Sequence, residues 1–73
     1  MGKYFYYLLL LEQDGKFYDD YIQSVGDEEG AFFLLPNTSG AKSFDNVEAA
    51  HQWAQKHQLK PGQYAIHGLY ESV

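Results

Sequence analysis

Tyr4-Phe5-Tyr6-Tyr7-Leu8-Leu9-Leu10-Leu11 carries no polar side-chain atom except three phenol hydroxyls, and the reading of this stretch decides the fold. So apolar a run suits a secretory signal, a membrane span or a strand covered on both faces. A signal ends in a small-residue cleavage site, whereas Glu12, Gln13 and Asp14 come next, so secretion is not expected. A spanning helix needs about 20 apolar residues, and this run stops after eight. Four consecutive aromatics favour a strand, where rings pack on a pleated surface. With a period of two, Tyr4, Tyr6, Leu8 and Leu10 line one face, and Phe5, Tyr7, Leu9 and Leu11 line the other. Both faces need cover.

Downstream the chain reads as a meander. Asp14 and Gly15 give a hairpin turn in which Gly15 takes a positive φ. A second run, Phe17 to Val25, mixes aromatics with Asp19 and Asp20, so part of it faces water. The acidic turn Gly26 to Gly30 leads to a third run, Ala31 to Leu35, which ends at the loop formers Pro36 to Gly40.

After Gly40 the period changes to that of a helix. Asp45 or Asn46 can cap it, Glu48 has capping-box spacing from Asp45, and Phe44 is placed to staple against Ala49. Val47, Ala50, Trp53, Ala54 and His57 form an apolar stripe. Lys60, Pro61 and Gly62 stop the helix, and a last strand alternates from Gln63 to Glu71. The expected fold is one α+β domain over residues 1–73, an antiparallel three- to four-stranded sheet in β-β-β-α-β order with one amphipathic helix packed on one face.

Composition narrows function. A chain of 73 residues makes one small core and buries roughly 60% of its unfolded surface. Without cysteine there is no disulfide, thiolate metal site or thiol nucleophile, which leaves association as the usual stabiliser. Ten acidic residues against five lysines, with no arginine, give a formal charge of −5. Nucleic-acid affinity comes mainly from neutralising phosphates, so no direct binding of DNA or RNA is expected.

The polar residues do not assemble into a recognisable reaction centre. His51 and His57 are six apart and do not share a helix face as two metal ligands at i and i+4 would; His57 suits a helix end. His67 on the last strand reads as a buried or half-buried packing residue. Asp19 and Asp20 are adjacent and point to opposite faces of a strand. Asp27, Glu28 and Glu29 lack the alternating spacing of a calcium loop and read as a solvated turn. No cofactor, metal, catalytic residue or small-molecule ligand is expected.

Two resemblances point in different directions. YFYYLLLLEQDGKFYDDY, over Tyr4 to Tyr21, resembles the opening hairpin of GIY-YIG nuclease domains. The family's second-strand Tyr-Ile-Gly is met here by Tyr21, Ile22 and Gln23, and the arginine of its following helix has no counterpart, so nuclease activity is not expected. GAKSFDNVEAAHQW, over Gly40 to Trp53, looks like a strand-to-helix segment of small phage anti-CRISPR proteins, which implies an acidic inhibitor occupying a nucleic-acid-binding complex.

One helix of about a dozen residues spans roughly 18 Å and covers one face of such a sheet. The other face retains aromatics and leucines, and a monomer rarely exposes an apolar patch above a few hundred Å². The expectation is a cytoplasmic, non-enzymatic domain acting by protein contact, as a homodimer or with another protein. Its candidate interface residues are Tyr4, Tyr6, Tyr7, Phe32 and Phe33, with Asp27, Glu28 and Glu29 as a candidate acidic contact. The acidic inhibitor is the alternative.

Overall fold

The computed structural model describes residues 1–24 and 32–72, and of Ser24 the backbone only. Its elements are β1 (Gly2–Gln13), β2 (Lys16–Ser24), β3 (Phe32–Leu35), β4 (Ser43–Phe44), α1 (Val47–Lys56) and β5 (Tyr64–Ser72). The expected β-β-β-α-β order holds with one addition, the two-residue β4, which makes the curled antiparallel sheet five-stranded. Two residues are too few for alternation to register in the sequence.

The Tyr4–Leu11 stretch lies in β1, the strand on which the sheet is organised. One edge of β1 pairs with β5 in an unbroken register from Gly2↔Ser72 to Leu10↔Tyr64. Its other edge is shared by β2, from Leu9↔Tyr21 to Gln13↔Lys16, and β4, at Tyr6↔Phe44 and Tyr7↔Ser43. Twelve residues at about 3.3 Å each extend roughly 40 Å, which matches the 41 Å long axis of the molecule. At the far end, Gly2 and Lys3 with Glu71 and Ser72 form an outlying part of a two-stranded ribbon.

The turn between β1 and β2 places Asp14 at φ 53° and Gly15 at φ 82°. Two successive positive values match the right-handed twist of a hairpin, which is why Asp-Gly is favoured there. A bulge between Leu10 and Glu12 shifts the register with β2. Outside it the alternation is regular. Leu8 and Leu10, with Ile22, Phe44, Ala50, Ala54 and Leu59, make the buried cluster, and Tyr18, Phe32, Leu34, Trp53, Tyr64 and Ile66 pack against it.

Asn46 caps α1: its side-chain oxygen accepts from the Ala49 amide at 2.7 Å. The Asp45–Glu48 capping box does not form. Asp45 instead receives Lys3 Nζ at 3.0 Å in an exposed ion pair. Val47, placed on the apolar stripe by spacing, is exposed because it sits in the first turn at the margin of the buried arc centred on Ala50 and Ala54. At the other end, the buried His57 stacks on Trp53 with ring centroids 3.7 Å apart, and its Nδ1 lies 3.0 Å from the Trp53 carbonyl.

Candidate interaction surface

Register assigns every strand residue to one of two sides. Tyr4, Tyr6, Leu8 and Leu10 share a side with Ile66 and Tyr70 of β5 and with Ile22 and Leu34, the side that supplies the buried cluster. Phe5, Tyr7 and Leu9 share the opposite, outer side with Ala65, His67 and Leu69, and with Tyr21, Phe33 and Leu35.

The five candidate interface residues therefore do not form one patch. Tyr6 and Phe32 pack against the core cluster, and Tyr4 lies on that same side but is exposed on the ribbon. Tyr7 and Phe33 belong to the outer side, where Phe33 is 61% exposed. Asp27, Glu28 and Glu29 lie outside the described residues.

Tyr7 is buried although it lies on the side opposite Leu8 and Leu10. Its cover is local. The Tyr21 ring meets it edge-on, with centroids 6.3 Å apart, and stacks on His67 at 5.9 Å. The Tyr21 hydroxyl and His67 Nδ1 are 2.7 Å apart, closing a bridge from β2 to β5 over β1. His67 is thus an exposed partner in a tyrosine–histidine pair, not a buried packing residue. Burial pushes the Tyr7 phenol above its ordinary pKa, and the Glu71 carboxylate adds to the shift in the same direction, since both disfavour phenolate. Nothing in the spacing of Tyr21 and His67 announces the bridge; only their shared strand parity is consistent with it.

On the core side of the ribbon, the Tyr4 ring stacks on Tyr6 at 6.4 Å and meets Tyr70 edge-on at 5.2 Å. Two glycines lie against this row. A Cβ on Gly68 would stand 3.0 Å from the Tyr6 ring, and one on Gly2 would overlap Tyr70.

A shallow polar cavity of about 370 Å³ lies between the β1–β2 turn and the end of α1, lined by Gln13, Asp14, His57, Gln58, Lys60 and Gln63. Among the described residues that line it, none carries a hydroxyl or thiol beside the histidine. His51 is paired with the Tyr64 hydroxyl at 2.8 Å. Among the described residues no group of three or more His, Cys, Asp or Glu side chains could hold a metal ion, and no helix is long and apolar enough to cross a membrane.

What these observations define is a small α+β domain with an aromatic outer sheet face. Comparisons with protein-family models, curated proteins and solved structures return no match for the chain.

Proposed function

We propose that this protein is a non-enzymatic, cytoplasmic interaction domain that associates with itself through the outer face of its sheet. In this reading α1 is the single layer on the core side, supported by the burial of Ala50 and Ala54 with Leu8 and Leu10. The observation that carries the proposal is the outer side itself. Phe5, Leu9, Leu35 and Leu69 are only half-buried there and Phe33 is exposed, with no helix among the described residues to cover them. A second copy laid on this face removes that apolar area from water, at roughly 25 cal/mol per Å².

Light scattering across low to high micromolar concentration tests it. The expected result is a mass that rises above the monomer with concentration and falls back in Phe33→Ser; a constant monomer removes the proposal. The formal charge of −5 without arginine supports a second reading, an acidic inhibitor seated on the basic surface of a nucleic-acid-binding complex. A basic partner recovered by pull-down with a monomeric domain would favour it over the first.

A further inference from the structure

The last strand leaves one edge open. β5 pairs with β1 along one side, and among the described residues no strand pairs with its other side. Natural sheets blunt such edges by keeping them short, by bulges, or with lysine and proline. The opposite margin of this sheet follows that practice: β3 has four residues and stops at Pro36. By contrast β5 runs nine residues, pairs with β1 without a bulge, has no lysine or proline, and carries a single charge at Glu71.

Which backbone groups face outward follows from one hydrogen bond. The Leu11 amide donates to the Gln63 carbonyl at 2.8 Å, and Leu11 and Gln63 continue the register of Leu10↔Tyr64 and Leu9↔Ala65. In an antiparallel ladder, hydrogen-bonded and non-bonded pairs alternate. Ala65, His67, Leu69 and Glu71 therefore turn their amides and carbonyls toward β1. Tyr64, Ile66, Gly68, Tyr70 and Ser72 turn theirs to the open side.

We infer that a second copy of this chain occupies that edge, its β5 antiparallel to the first, so that two sheets join into one. The strand is complementary to itself. The alignment that overlaps all nine residues is centred on Gly68, and it sets Ile66 opposite Tyr70 and Tyr64 opposite Ser72. These are all outward-facing residues, so full overlap and hydrogen-bond parity are met together. At the centre two glycines face each other with no side chains to crowd the twofold axis. Ile66 against Tyr70 is a β-branched–aromatic pair of the kind that stabilises neighbouring strands. Glu71 falls opposite Ala65, which keeps the two carboxylates from facing each other. The inference rests on the self-association reading in taking the partner to be a second copy, but it uses a different surface. Edge and face each have their own twofold, and one assembly can use both.

Amide hydrogen exchange on the full chain, at low and high micromolar concentration with light scattering on the same samples, tests the pairing. Ala65, His67 and Leu69 amides are expected to be protected at both concentrations. Ile66, Gly68 and Tyr70 amides should exchange fast when dilute and slow by about tenfold or more when concentrated. Tyr70→Pro removes an outward N–H and spares the β1 ladder, so it should abolish that added protection while Ala65 and His67 stay protected. A persistent assembly in which Ile66, Gly68 and Tyr70 exchange as fast as in the dilute sample overturns the edge contact and leaves face association standing. A monomer at every concentration overturns both. Edge protection that survives together with an unchanged mass in Phe33→Ser supports the edge and counts against the face.

Discussion

Tyr21 and His67, 46 residues apart in sequence, meet across β1 with the phenol oxygen 2.7 Å from Nδ1. The pair ties β2 to β5 on the side away from the buried cluster and roofs Tyr7. Tyr21→Phe keeps the ring and loses only an exposed hydrogen bond, so urea melts should place the cost near 0.5 kcal/mol, the low end for such bonds. Tyr21→Ala also opens the roof and should cost about 2 kcal/mol. Combined with His67→Ala, Tyr21→Phe should add less than its single cost, since each change removes the same contact. Strict additivity would mean that the bridge contributes nothing.

The raised Tyr7 phenol gives a pH dependence of definite sign. Its folded pKa lies above the unfolded value, near 10 for tyrosine. The associated stability is fully present below about pH 10 and is lost as pH rises through the folded value, because the unfolded chain releases the proton first. Chemical denaturation at about pH 8 and pH 11 should show a shallower loss in Tyr7→Phe than in the parent. Equal slopes would show that Tyr7 does not contribute to alkaline destabilisation.

Asn46 and Asp45 compete in the sequence for the same capping role, and the structure separates them. Asn46→Ala should cost about 1 kcal/mol, the usual loss for a helix cap. Asp45→Ala, which breaks an exposed ion pair with Lys3, should cost a few tenths of a kcal/mol. Thermal melts followed by circular dichroism give both values; the reverse order would return the cap to Asp45.

Trp53 is half-buried and wedged between Phe32, Phe44 and His57. Trp53→Ala should cost about 3 kcal/mol, the low end for a large aromatic, a large share of what a domain of this size possesses. Gln52→Ala, fully on the wet side, should stay within about 0.5 kcal/mol. Parent-like melting of Trp53→Ala would make Trp53 a surface residue.

Local chemistry announces much of this fold. Eight apolar residues too short for a membrane point to a strand, Asp14-Gly15 to a hairpin, and the stripe through Ala50 and Ala54 to a helix that reaches the core. What the sequence conceals depends on contacts between distant segments. Ser43–Phe44 becomes a strand only because β2 leaves β1 at Leu9 and frees its edge at Tyr6 and Tyr7. Tyr7 is buried because Tyr21 leans across β1, a side-chain direction that alternation does not contain. Tyr4, Tyr6 and Phe32 fall on one side and Tyr7 and Phe33 on the other for a plainer reason: neighbouring residues of a strand point to opposite faces, so a run of consecutive aromatics divides between them.

The placement of β1 sets the order in which the chain can acquire its structure. Its pairs with β5 join residues 54 apart, at Leu10↔Tyr64, to 70 apart, at Gly2↔Ser72. Closing loops of that length is entropically costly before any contact compensates, and topologies rich in such pairs fold slowly. During synthesis this apolar segment emerges before both of its long partners, finds β2 early through the Asp14-Gly15 turn, and keeps its other edge open until β5 has been made. A nascent chain that has reached only the end of α1 is therefore a sticky hairpin and helix without its closing strand, the stage at which this protein most needs protection from aggregation.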